Sequence, residues 1–197
     1  SPMQLILSSI YHIDVPTGNI PYPRLQWLRN NRLVKEVIPV ALGDSYKGFR
    51  IVGTEHSYPE HYGVEFAQGG LWEDTFEVVI GARVSAETGL KLGDEFYGSH
   101  GMADGGHVHE KKAFKVVGVL ESMKGVMDRL VMTSVPTVWI SHGLIDEHDE
   151  DHGDHADHDE HHEDEQLEHI DGSQQEITAL LVKYRSPLAA VQLPMLI

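Results

Sequence analysis

One acidic, histidine-rich tract limits where this chain can build a hydrophobic core. The tract, "HDEDHGDHADHDEHHEDEQLEHIDGS" at residues 148–173, contains no lysine, arginine, cysteine or aromatic residue. A segment of this composition buries too little apolar surface to offset the entropy it would lose on ordering. We therefore predict a loop over residues 146–172, inserted between two strands of a domain that the flanking residues form.

Most of the negative charge of the protein lies in this tract. The 197-residue chain has a formal net charge of −16, with 31 acidic and 15 basic residues. Residues 146–171 hold 14 of the acidic residues and 7 histidines, so the rest of the chain is close to neutral, with 17 acids and 15 bases. Because no basic stripe is available to neutralise phosphates, nucleic acid is not expected as a partner.

Other features exclude further protein classes. The chain has no cysteine, and therefore neither a disulfide framework nor a thiolate zinc site. No apolar run approaches the ~20 residues needed to span a bilayer, and no secretory signal is visible. The start, "SPM", resembles an expression scar and "LAAVQLPMLI" stops within an apolar segment, so we expect a domain taken from a larger protein.

Hydrophobic patterns predict strands and helices without a regular βαβ rhythm, which favours an α+β fold. We predict two strands around the hairpin signal "GDSYKG". Because Pro136 interrupts "DRLVMTSVPTVWIS", that segment is predicted as an edge strand or two short strands. Further strands are predicted at "MQLILSSIYHI", "TFEVVIG", "DEFYG", "AFKVVGVLE" and "EITALLVKYRS".

Helices are predicted where proline or glycine marks an end. One begins near Pro23, a short one ends at Gly89, and another begins at Pro187. The three tryptophans are interpreted as core anchors: Trp27, Trp72 and Trp139.

The middle of the sequence resembles a known family of membrane-transport domains. Within residues 69–139, "GGLW", "EVVIGARVSAETGLKLGDEFYG", "FKVVGVLE" and "GVMDRLVMTSVPTVW" are similar to the periplasmic core domain of MacB/FtsX-type ABC transporter permeases. The agreement is weaker on both flanks. The block "GARVSAETGLKLGD" together with the strand "VVGV" makes the resemblance fairly specific.

This resemblance implies the periplasmic domain of a bacterial inner-membrane permease, between its first and second transmembrane helices. In this family, a porter-like mixed α/β subdomain is built from both chain ends and a smaller β-rich subdomain is inserted. We accordingly expect the porter-like part at 1–70 and 173–197 and the β-rich insertion at 71–145. The implied partners are a cytoplasmic ABC ATPase subunit, a second permease copy in a dimeric transporter, and a periplasmic metal-binding lipoprotein or adaptor.

A subset of these permeases has histidine-rich loops and resembles the membrane component of zinc-linked uptake systems. Two histidine-rich segments of this chain match that feature and depart from the macrolide-exporter type. The resemblance therefore implies metal-linked transport and argues against efflux of antibiotics or toxins.

The tract is predicted to bind divalent metal, Zn²⁺ first and Cu²⁺ or Ni²⁺ as alternatives. Imidazole nitrogen and carboxylate oxygen are ligands for all three ions. A solvated acidic spacer is the other interpretation, but a spacer has no need of imidazoles. Since metal binds neutral imidazole, affinity should fall below the usual histidine pKa of ~6.5. The predicted ligands are His148, His152, His155, His158, His161, His162 and His169.

A second cluster, in "SHGMADGGHVHE", is predicted at a hairpin tip between "DEFYG" and "FKVVGVLE". Three imidazoles with a carboxylate or a water molecule would form a tetrahedral zinc site. The alternative is a glycine-rich loop with incidental histidines. His142, at the end of the predicted strand "TVWIS", would complete the same site. The predicted ligands in the hairpin are His100, Asp104, His107, His109 and Glu110.

No enzyme signature is present in the sequence. It lacks the metalloprotease helix His-Glu-x-x-His, the nucleophile elbow Gly-x-Ser-x-Gly and a phosphate-binding P-loop, so ATP hydrolysis is expected on a separate subunit. Two other functions stay open: a mechanotransmission domain that engages a lipoprotein or adaptor while the tract only buffers metal, and a free periplasmic metal-buffering protein. The remaining histidines are interpreted as structural or surface residues: His12, His56 and His61.

Overall fold

A computed structural model describes residues 10–11, 19–98, 112–142 and 176–193. Both histidine-rich segments, "SHGMADGGHVHE" and the tract, lie outside these ranges. The predicted strand "MQLILSSIYHI" does too, apart from Ile10 and Tyr11. Within the described ranges, no helix has the length and apolar character needed to cross a membrane.

Ten strands lie in the described ranges. They are β1 (Ile20–Pro21), β2 (Val34–Tyr46), β3 (Phe49–Thr54), β4 (Phe66–Gly69), β5 (Glu77–Ile80), β6 (Glu95–Phe96), β7 (Phe114–Leu120), β8 (Leu130–Ser134), β9 (Glu176–Ile177) and β10 (Ala179–Tyr184).

Eight of these strands form one mixed sheet. Its order is β10-β2-β3-β8-β5-β7-β4, and β6 pairs with β7 as well. The pairs β3–β8 and β5–β7 are parallel, whereas the other neighbours are antiparallel. Strands β1 and β9 form a separate antiparallel pair. The α+β class predicted from the sequence is confirmed.

Five α-helices and one 3₁₀ turn lie in the same described ranges. Pro23 lies in the first turn of α1, Gly89 ends α3 with φ of 82°, and Ser186 caps α5 at Pro187, so all three predicted helix ends are confirmed. The helices are α1 (Tyr22–Arg29), α2 (Ser57–Tyr62), α3 (Ala82–Thr88), α4 (Val135–Ser141) and α5 (Pro187–Gln192), and the 3₁₀ turn is Val126–Arg129.

Both faces of the sheet are buried. Successive side chains of a strand point to opposite faces, and Ile51 and Val52 accordingly belong to different hydrophobic clusters. Helix α2 covers the face of Val52 through Tyr58. The opposite face is covered by α3, through Val84, and by a third cluster that includes α1 and α4.

The tryptophan prediction is confirmed at two positions and wrong at the third. Trp72 and Trp139 are 4% and 6% exposed. Trp27 is 40% exposed. Leu25 and Leu28 occupy the buried side of α1, and Trp27, between them in sequence, lies on a different side of the helix.

The prediction for "DRLVMTSVPTVWIS" is wrong in two respects. Strand β8 is central rather than at an edge, since it pairs with β3 and with β5. The second half is not a strand but helix α4. The hydroxyl of Ser134 accepts a hydrogen bond from the backbone N–H of Thr137 at 3.3 Å, and Pro136 lies in the first turn, where its missing N–H costs nothing.

The hairpin predicted at "GDSYKG" is confirmed, but the turn itself is shorter than this sequence motif. Lys47 and Gly48 both have positive φ, 47° and 84°, which fits a two-residue turn between β2 and β3. Gly43 and Asp44 belong to the strand. The register shifts by one residue between Leu42 and Ser45, so β2 contains a bulge there.

The division into a porter-like part and an inserted β-rich part stays a prediction. In the described residues, the sheet runs across the expected boundary near residue 70, because β3 pairs with β8 from Arg50↔Leu130 to Thr54↔Ser134.

Helix α4 lies directly on glycine in the two strands beneath it. A Cβ added to Gly43 would lie 3.2 Å from Val138 Cγ2. At Gly53 the same methyl would lie 2.6 Å from Val138 Cγ2 and 3.1 Å from the Ser134 carbonyl oxygen. No side chain larger than hydrogen fits at Gly53 unless α4 moves.

Replacing Gly53 with alanine is therefore expected to destabilise the domain by about 1–3 kcal/mol, the usual cost of overpacking. Thermal melting should show a Tm lower by several degrees. Gly70→Ala is the matched control, since a Cβ there meets no atom within 4 Å. The double variant Gly53→Ala/Val138→Ala should lose less unfolding free energy than the sum of the losses in the two single variants. An unchanged Tm for Gly53→Ala would contradict the close packing of α4.

Candidate functional site

Of the thirteen predicted metal ligands, His142 alone lies in the described ranges. The other twelve lie outside them, so the structure neither brings them together nor separates them. They are His100, Asp104, His107, His109, Glu110, His148, His152, His155, His158, His161, His162 and His169.

His142 follows helix α4 rather than ending a strand, which corrects the prediction for its position. It is the C-terminal cap of the helix, and its backbone N–H donates to the Val138 carbonyl at 3.1 Å. Its Nε2 lies 3.5 Å from Oδ1 of Asp44 in β2. The imidazole is 38% exposed and the carboxylate 15% exposed, so the pair lies at the margin of the protein interior.

The bulge in β2 determines where Asp44 points. In a regular strand, Asp44 and Gly43 would face opposite sides of the sheet. Because the bulge places two residues opposite one, the strand is re-aimed at this point. Gly43 packs on Val138 while Asp44 reaches His142, so both residues meet α4.

The hairpin between β6 and β7 begins beside the same carboxylate. A Cβ added to Gly98 would lie 3.2 Å from the Asp44 Cβ and 3.3 Å from its Oδ2. Strands β6 and β7 pair through Phe96↔Phe114, which confirms the predicted hairpin. We call the three residues Asp44, Gly98 and His142 the Asp44 corner. Residues 99–111 and 143–175 follow Gly98 and His142 directly, so the chain leaves the described ranges at this corner on its way to each histidine-rich segment.

The first described residue after residues 143–175 is Glu176. It contacts Trp139, which lies in α4 about one helical turn before His142. The indole Nε1 of Trp139 donates to the Glu176 carbonyl at 2.9 Å. The Glu176 carboxylate also accepts a hydrogen bond from the Asn19 side chain, and β9 pairs with β1 at Pro21↔Glu176. The two ends of the 143–175 connection are thus held on one side of α4.

By itself, the Asp44 corner offers one carboxylate and one imidazole. Among the described residues, no three or more His, Asp, Glu or Cys side chains are grouped so that they could hold a metal ion. A complete centre at this corner needs ligands from outside the described residues.

Sequence reasoning missed Asp44. The Gly43-Asp44 pair interrupts a long apolar strand pattern, which is typical of a bulge. The same pair also fits the start of the hairpin turn predicted at "GDSYKG", and that prediction hides the bulge. His56 and His61 are exposed, as predicted, and both belong to α2 or its first turn. His56 Nε2 lies 2.7 Å from the Trp72 carbonyl.

Comparison with known proteins identifies the family. The family model described as the MacB-like periplasmic core domain matches residues 2–190. A search of the curated proteins finds no match to this sequence.

Two solved structures are similar to this fold. The extracellular domain of the noncanonic ABC-type transporter YknZ from Gram-positive bacteria superposes with a TM-score of 0.53 at 12% identity, covering 95% of this chain and 80% of that one. The periplasmic region of MacB from Actinobacillus actinomycetemcomitans gives a TM-score of 0.47 at 16% identity, covering 64% and 59%. The family match over nearly the whole chain shows that this protein belongs to the MacB-like periplasmic core domains, the extracytoplasmic domains of ABC transporter permeases.

Proposed function

We propose that this permease domain binds a divalent metal ion, Zn²⁺ first, and transmits metal occupancy to the transporter cycle. The observation that carries the proposal is the Asp44 corner. The last described residues before the two histidine-rich segments, Gly98 and His142, both lie beside the Asp44 carboxylate, which faces the His142 imidazole.

The geometry of the Asp44–His142 pair fits two ligands of one zinc ion. Zn–N and Zn–O bonds measure about 2.0–2.2 Å, so two ligands of a tetrahedral ion lie about 3.4 Å apart. The Nε2 to Oδ1 distance is 3.5 Å. Both groups are on rigid elements, a helix end and a strand bulge, which favours a defined site over a shifting one.

The hairpin segment is the natural source of further ligands. His100 follows Gly98 by two positions, so covalent geometry alone limits their Cα separation to about 7 Å. His107 and His109 would add imidazoles from the same segment. With Asp44 and His142, this set would make a mixed nitrogen and oxygen site that also suits Cu²⁺ and Ni²⁺.

The tract would then collect metal next to the tighter site. Its many interchangeable imidazoles and carboxylates favour weak binding with high capacity. Permeases of this family work with a cytoplasmic ATPase, and in this proposal ATP hydrolysis resets a domain whose conformation the metal biases. That role is the one expected for the zinc-linked, histidine-rich subset of the family. If the tract only buffers metal, the domain instead transmits mechanical change to a lipoprotein or adaptor.

Deleting residues 146–171 is expected to lower the number of zinc ions bound per domain while one tighter site stays. Zinc calorimetry measures both the number and the affinity. Replacing the seven histidines of the tract by asparagine is the matched control, because it keeps length and charge and removes only imidazole. If the deletion removes all binding while His107→Ala/His109→Ala loses none, the hairpin site is wrong. Binding no tighter than millimolar by the intact domain would refute metal-linked function.

Asp44→Asn and His142→Ala are each expected to weaken the tighter site by at least about tenfold, as the loss of a metal ligand or its orienting partner does. The controls are Asp74→Asn and His61→Ala, which change an exposed aspartate and an exposed histidine elsewhere on the domain. Measured by the same calorimetry after deletion of the tract, equal affinities for all four variants would exclude the Asp44 corner from the site.

A further inference from the structure

A crevice opens where the chain leaves the parallel strands β3 and β8. Their last residues, Thr54 and Ser134, are neighbours in the sheet. After β3, the chain enters α2, which packs on the face of Val52; after β8 it enters α4, which packs on the opposite face over Gly53. In open parallel α/β sheets, ligands bind in a crevice at the carboxyl ends of strands whose connections diverge, and the parallel pair β3–β8 has this local arrangement.

The crevice has the size of a small-molecule site. Its volume is about 540 Å³, within the range of roughly 300–1,000 Å³ typical of such sites. It lies at the N-terminal end of α4, whereas the Asp44 corner lies at the C-terminal end. No residue of the Asp44 corner lines it.

Three aromatic side chains line the crevice, and each of them packs against another ring. Tyr22 meets Trp139 edge to face, with ring centroids 5.2 Å apart and planes at 88°. Trp72 meets the His56 imidazole in a similar way at 5.1 Å. Both indoles are almost fully buried, so their positions are fixed by packing before any ligand arrives. The π faces of such rings attract cations.

Among the described residues that line the crevice, the polar side chains include one carboxylate, one imidazole and several hydroxyls. Glu55 supplies a carboxylate, and neither lysine nor arginine is among the described residues that line the crevice. Because the Trp72 carbonyl can only accept, His56 donates to it from Nε2, which leaves Nδ1 of the neutral ring as an acceptor. A ligand that donates hydrogen bonds and carries positive charge would satisfy the Glu55 carboxylate and the His56 acceptor together.

A cationic ligand would have to compete with Arg29 for the Glu55 carboxylate. Its Oε1 accepts a hydrogen bond from the Arg29 guanidinium of α1, in an ion pair whose side chains are 32% and 39% exposed. Ion pairs at this exposure are weak, so a cation inside the crevice can share or replace this contact.

We propose that this crevice binds a small organic ammonium ion, with its hydrocarbon body against Tyr22, Trp72 and Trp139 and its charged head beside Glu55 and His56. The proposal is independent of metal binding at the Asp44 corner. It gives the domain a second ligand, of a different chemical class, at the other end of α4.

The test uses phenethylammonium as the probe, with 2-phenylethanol as its neutral analogue and phenylacetate as an anionic one. The protein has three tryptophans, and the indole N–H signals in a ¹H–¹⁵N spectrum report on each. Phenethylammonium should shift the signals of Trp72 and Trp139 in a saturable way and leave Trp27, which is exposed on α1 and outside the lining, unchanged. The cation should bind at least about tenfold more tightly than the alcohol.

Two substitutions at the ion pair should act in opposite directions. Glu55→Gln should weaken phenethylammonium binding roughly tenfold, whereas Arg29→Gln should strengthen it several-fold by releasing the carboxylate. Glu60→Gln, an exposed glutamate on α2 outside the lining, is the matched control. Circular dichroism and Tm verify that each variant is folded.

Four results would overturn the proposal. Equal affinity for the ammonium ion and the alcohol would leave only an apolar crevice. Tighter binding of phenylacetate would assign the opposite charge to the ligand. Shifts at Trp27 as large as those at Trp72 and Trp139, or Glu55→Gln and Arg29→Gln variants that both bind like the wild type, would place binding elsewhere.

Discussion

Helix α4 lies against the sheet because β2 and β3 offer glycine where it crosses them. A Cβ at Gly53 would lie 2.6 Å from Val138 and one at Gly43 would lie 3.2 Å from it, so the helix contacts strand backbone as well as side chains. Interiors are packed too densely to absorb such a change without movement. The position of α4 in turn determines where Ser134, Trp139 and His142 lie.

This one helix borders both sites described above. At about 1.5 Å per residue, its seven residues separate the crevice from the Asp44 corner by roughly 10 Å. Trp139 connects the crevice with the end of the 143–175 connection. Its ring lines the crevice, and its Nε1 donates a hydrogen bond to the carbonyl of Glu176, the first described residue after that connection. A displacement of α4 would therefore change the crevice, the position of His142 and the hydrogen bond to Glu176 together.

The sequence predicted elements whose signals are local. Gly89 at the end of α3 and Pro187 at the start of α5 needed only their neighbours to be interpreted. The strand pattern of "TVWIS" failed because β-branched and aromatic residues fit a buried helix equally well once Ser134 caps it. Periodicity could not distinguish the two over so few residues.

The candidate site was less accessible to such reasoning. His142 was identified from its residue type, but its partner Asp44 is almost a hundred positions away, and only the fold brings the two within 3.5 Å. The crevice depends on two connections that diverge to opposite faces, a property of topology that no single segment encodes. The domain division and the twelve ligands outside the described ranges stay predictions.

The connection that contains the tract joins two described residues, His142 and Glu176. The cost of closing a loop rises slowly with its length: for 33 residues the length-dependent part is about 3 kcal/mol, and doubling the length would add only ~0.6 kcal/mol. The Trp139–Glu176 hydrogen bond and the β1–β9 pairing act at this closure point and lie outside the tract itself. Length and composition of the tract can therefore change at little cost to the fold. Since the rest of the chain is nearly neutral, the acidic residues of the tract meet little like-charge repulsion from the rest of the sequence.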